Sequence, residues 1–160
     1  MHPELKNLLY EAEEEYLQGE KLQAFKTQIS SFSQRLETYE LLRDRELAIF
    51  QPIAEQLSIN FAQETQKNLE RSLKHWVLVM RYCAMAMLVN NPEFLQHRLL
   101  EWLTDLVQTY QLQSIEKTIY QSLHKQLSNL LNEQQLVLIQ PFLEQAKTTL
   151  ISDELAQLQQ

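Results

Sequence analysis

The residues able to do chemistry are few and scattered. Four histidines, His2, His75, His97 and His124, stand far apart in the chain. No His-x-x-x-His, Cys-x-x-Cys or Glu-x-x-His pair offers metal-site spacing on a common helical face. A single glycine rules out a glycine-rich phosphate loop. Nothing suggests a nucleophile elbow. A lone cysteine, Cys83, excludes an internal disulfide and fits a reducing, cytoplasmic setting. It lies inside an apolar run, where a thiol acts as a small hydrophobe. These absences argue against an enzyme. The informative polar residues are the exceptions within Leu73–Val89, LKHWVLVMRYCAMAMLV: Lys74, His75, Arg81 and Tyr82. Arg81 is the only strongly polar residue from Trp76 to Val89. An arginine there needs a carboxylate or carbonyl partner, in its own chain or a neighbour's, unless it snorkels to solvent.

A helix apolar nearly all round must be wrapped by others, so Leu73–Val89 is expected to be the central helix of an all-α domain. It is too short and too interrupted by charge for a membrane span of about 20 apolar residues. Around it, apolar residues recur at the helical period. Residues 3 to 17 form one helix, with Glu11, Glu13, Glu14 and Glu15 as a solvated face. Gly19 marks the break after it. A helix from about Glu20 to Arg43 turns Leu22, Phe25, Ile29, Phe32, Leu36, Tyr39 and Leu42 inward. Another, from Asp44 to about Phe61, buries Leu47, Phe50, Ile53, Ala54 and Leu57 and bends or breaks at Pro52. Residues 62–72 read as a mostly exposed helical turn or two leading into the central helix. Asn91 caps a helix opened by Pro92. A turn near Gln111–Ser114 follows, with Ser114 as candidate cap. The last helix starts near Asn132 and contains Pro141. The tail from Ser152 reads as fraying.

The 160 residues suggest one domain. Forty-four per cent are hydrophobic, which argues against disorder. Fourteen basic against 21 acidic residues leave a net charge of -7, which disfavours nucleic acid as a partner. No signal peptide is visible.

The central helix resembles that of the phycobiliproteins of cyanobacterial and red-algal antennae. Arg81-Tyr82 is similar to the Arg-Tyr of their chromophore helix. Ala86 falls on a small residue, Asn90-Asn91 where Gly-Asp is frequent, and Leu95 and Arg98 fall in register. The stretch Glu15-Tyr16-Leu17-Gln18-Gly19-Glu20-Lys21-Leu22-Gln23 is similar to the family's Gly-Arg-Tyr-Leu-Ser-x-x-Glu-Leu-Gln, with no gap from Tyr16 to Gln23.

The resemblance implies a globin-like helical bundle with a two-helix N-terminal extension, about residues 1–30, that packs on a partner subunit. It matches Glu11 to the acid that meets a neighbour's Arg-Tyr arginine, here Arg81. With Tyr16 and Tyr82, these are the expected interface residues. A dimer follows, with a second copy or another phycobiliprotein-like subunit.

Family members attach an open-chain tetrapyrrole to a cysteine nine residues before that arginine, and here the position is Ser72. A hydroxyl does not replace the thiolate nucleophile. Cys83, eleven residues on, is ~16 Å away along a helix. The family's basic residue and aspartate fall on Lys74 and His75. Lys74 can still meet a propionate. His75 offers at most one acceptor. The expectation is therefore a bilin-free protein of the light-harvesting antenna, acting in assembly, regulation or turnover. Two other readings remain: a carrier of non-covalent bilin or haem, with His75 as iron ligand, and a globin-like sensor or adaptor outside photosynthesis.

Overall fold

The computed structural model describes residues 2–151. Among these, α-helices and one π-turn are joined by short connections, with no strand. Helix α1 spans Pro3–Glu14, α2 Gly19–Asn60, α3 Gln66–Val89 and α4 Pro92–Leu95. The π-turn Gln96–Leu100 leads into α5, Glu101–Tyr110. Helices α6, Gln113–Leu130, and α7, Glu133–Leu150, complete the bundle. The stretch from Ser152 lies outside the described residues.

Helix α3 is the hub. It packs on α2, α4, α6 and α7 and buries Trp76, Val79, Met80, Cys83, Ala84, Ala86 and Met87. Its start is firmer than the polar composition of residues 62–72 suggests. Thr65 caps it by accepting from Asn68 N–H, and Leu69 and Ser72 are already buried. It ends at Asn90 in the left-handed region, where asparagine is well tolerated (φ 48°). Asn91 then accepts from Glu93 N–H and starts α4 with Pro92.

The two helices expected between residues 20 and 61 are one, 42 residues long. Nothing from Glu20 to Gln51 breaks a helix. Pro52 sits on the exposed side, where water can take the carbonyl it releases. The second helix of the N-terminal extension thus runs unbroken into the core. Pro141 is likewise exposed within α7.

The inward face of α2 also differs from expectation. Leu22, Ile29, Phe32, Leu36 and Leu47 are exposed, while Arg35, Thr38, Leu42, Ile49, Phe50, Ile53 and Leu57 are buried. Helix α1, which packs on α2, itself buries no residue. An apolar stripe there has no core to enter. At the other end of the chain, Asn132 and Gln135 form a reciprocal capping box for α7. Ser114 caps nothing: α6 starts at Gln113 behind Leu112.

Candidate functional site: the α3 pocket position and the Arg81 groove

Ser72 is completely buried, and its hydroxyl has no hydrogen-bond partner. One turn further on, the same helical face carries His75 and Trp76. Three side chains beside Ser72 reach across to other helices. The Arg71 guanidinium lies 3.7 Å from the ring centre of Tyr110 at the end of α5. His75 Nδ1 is 3.1 Å from Glu116 Oε1 on α6. Trp76, 0 % exposed, packs against Tyr120 with ring centres 5.6 Å apart.

Glu116 is fully buried, and its second oxygen has no partner among the described residues. His75 is mostly covered. Since a buried carboxylate needs a donor, Nδ1 is the nitrogen that donates when Glu116 is ionised. Lys74 points outward, exposed, and shares a surface hollow with Lys67, Glu70, Arg71 and His75. Of the three pocket residues, Ser72 is thus inside, His75 is engaged and Lys74 faces solvent.

Tyr120 continues this contact. Its hydroxyl donates to Glu144 Oε1 at 2.8 Å. Burial, and then the Glu144 hydrogen bond, raise its pKa above the ordinary tyrosine value. Cys83 is 0 % exposed, and burial pushes its thiol up as well, so it stays protonated.

Arg81 sits on the outer side of α3. Its Nε and Nη2 donate to the two carboxylate oxygens of Glu46 on α2, at 2.8 and 2.5 Å. That hydrogen-bonded pairing raises the guanidinium above its ordinary value. The side chain remains 60 % exposed, so the pair is a surface one. Beside it, Tyr82 stacks on Phe94 at 5.8 Å. Tyr39, Met80 and Met85 complete a groove of about 510 Å³.

Glu11 and Arg81 do not meet within the chain. Glu11 pairs with Lys21 at 3.0 Å. Tyr16 projects from the α1–α2 connection, 93 % exposed. Leu9, Tyr10, Leu22, Ile29, Phe32 and Leu36 extend the exposed apolar surface over the same hairpin.

Sequence reading missed Glu116, Arg71–Tyr110 and the burial of Arg35. Glu116 had a signal. It shares the inward register of α6 with Leu112, Ile119, Tyr120 and Leu123, where a solvated acid does not belong.

A family model described as phycobilisome protein matches residues 8–150. The chain belongs to the phycobilisome protein family. No curated protein matches it. Membership gives the helical architecture its meaning as the globin-like fold of the phycobiliproteins. These are structural light-harvesting proteins that assemble with one another and normally carry covalent bilins. No helix of the described residues is long and apolar enough to cross a membrane.

Proposed function

We propose that this phycobilisome-family chain carries no covalent bilin and serves the antenna through protein–protein contact, in its assembly, regulation or turnover. The observation that carries the reading is the burial of Ser72 at the position matched to the attachment cysteine. The residues there do not fit a covalent bilin. Serine supplies no thiolate. Its oxygen has no exposed surface for a tetrapyrrole to approach. His75, in place of the N–H acceptor, is already committed to Glu116. Trp76, one residue on, is fully buried against Tyr120.

The association half of the reading is supported by the exposed apolar hairpin and the Arg81 groove. Clustered exposed apolar side chains mark places where something docks. The Arg81–Glu46 pair is no obstacle. An exposed ion pair contributes about 0–1 kcal/mol, so a partner's acid can take over the guanidinium at small cost. Glu11 of a neighbour is the candidate, with Tyr16 and Tyr82 at the same contact. A cytoplasmic place at the thylakoid-surface antenna and a dimer, with itself or a related subunit, follow from this reading.

The test is size-exclusion chromatography of protein made in a cyanobacterial, bilin-producing host. The wild-type chain should elute as a dimer or with antenna subunits, and Arg81→Glu should elute as a monomer. A wild-type monomer that never meets an antenna subunit would favour a globin-like module outside photosynthesis.

One observation favours a second reading. Glu116 holds His75 Nδ1, which is how a carboxylate orients a metal-bound imidazole and leaves Nε2 as the ligand atom. Haem titration of the wild-type chain and of His75→Ala separates the readings. Equal binding by both, or by neither, removes His75 as an iron ligand.

A further inference from the structure

Arg35 is buried against its type. It is 7 % exposed, and its Nε has no hydrogen-bond partner. No carboxylate among the described residues forms an ion pair with it. Burial alone lowers the guanidinium from its ordinary value, with no acid near enough to offset it. Arginine nevertheless stays charged in proteins. A buried charge without a counter-charge is among the costlier things a fold can hold.

The side chain lies in a groove of about 360 Å³ between α1, α2 and the end of α3. Leu5, Ile29, Phe32, Leu88 and Val89 make its walls. Ile29 and Phe32 are 53 % and 45 % exposed, so the apolar wall continues to the surface. His2 Nδ1 is buried in the same groove without a hydrogen-bond partner, 3.8 Å from Glu4 Oε2. Helix α1 starts there with no side chain capping its first N–H groups. The nearby Glu4 carboxylate is taken by Gln28, whose Nε2 donates to it at 2.9 Å.

Apolar walls around a guanidinium that lacks an acid are complementary to a carboxylate on an apolar stem. A free, strongly hydrated anion would gain nothing from those walls. We propose that this groove docks a carboxylate side chain carried on an apolar helical segment of a second protein chain, with Arg35 as its receiver. That the partner is a protein rests on reading the hairpin as an interface; the anion chemistry of Arg35 is separate from the Arg81 groove.

The probes are sodium hexanoate, acetate and sulfate at matched ionic strength. Binding is followed by NMR at the Arg35 Nε–H and the amides of Ile29 and Leu88. Hexanoate should bind about tenfold tighter than acetate or sulfate, and Arg35→Met should weaken it about tenfold while leaving the thermal midpoint unchanged or higher. Equal hexanoate binding by Arg35→Met would overturn the proposal. Sulfate binding as tightly as hexanoate would make this a free-anion site and overturn it too. A gain of hexanoate affinity in Asp153→Asn/Glu154→Gln would name the chain's own C-terminal segment as occupant, against the proposal. Sedimentation of the assembled protein is the second readout. Arg35→Met should weaken assembly about tenfold. Unchanged assembly overturns this inference and leaves the proposed function standing. A wild-type chain that never assembles sinks the proposed function and the protein partner together, whatever hexanoate does.

Discussion

His75 and Glu116 meet across the α3–α6 contact, with Nδ1 3.1 Å from a carboxylate that has no exposed surface. Helix α3 here contributes to a structural clasp. Removing one partner strands the other in a covered site. His75→Ala should cost about 3 kcal/mol by urea denaturation. The double variant His75→Leu/Glu116→Leu should cost less than His75→Ala alone, because no unpaired polar group remains. Additive losses would show that the two residues do not act as a pair.

Trp76, one turn along α3 from Ser72, is fully buried and packs against Tyr120. Trp76→Ala should destabilise the chain by about 3–5 kcal/mol, the range for a large aromatic removed from a packed core. Ser72→Cys should leave the fold intact and still take up no bilin in a bilin-producing host. Zinc-enhanced fluorescence of the denatured protein reads this. A fluorescent Ser72→Cys band would mean that the thiol alone was missing.

Reading from sequence succeeded where the signal was local and failed where it depended on neighbours. Asn91-Pro92 and the Asn132 start of α7 were legible because capping is decided within one turn. The central helix was legible because an all-apolar helix has one possible surrounding. The stripe on α2 was misread. Period gave the spacing of Ile29, Phe32 and Leu36, but not whether the chain itself would cover them. The family resemblance is what points to Ser72 as the attachment position. Which side chains would close over that position depended on Arg71–Tyr110 and His75–Glu116, pairs 39 and 41 residues apart that no local pattern joins.

Cys83 is fully enclosed in α3, and burial disfavours its thiolate. Iodoacetamide should therefore leave native protein unmodified near neutral pH and alkylate it in urea. Mass spectrometry counts the adduct. Rapid labelling of the native chain would show that the α3 core opens.

Tyr120 sets an alkaline limit. Its folded pKa lies above the ordinary value of about 10, because burial and the Glu144 hydrogen bond favour the neutral ring. The folded state thus holds this proton more tightly than the unfolded chain. Its contribution to stability is complete below about pH 10 and is lost as pH rises further. In urea titrations above pH 10, stability should fall with a slope that Tyr120→Phe reduces. An unchanged slope would assign the alkaline loss elsewhere.

The central claim is that this member of a pigment-binding family has closed its attachment position. The most direct measurement is the absorption spectrum, from 500 to 700 nm, of the acid-urea-denatured protein purified from a bilin-producing host. A flat spectrum is the predicted result. A bilin band that stays with the denatured chain would contradict it.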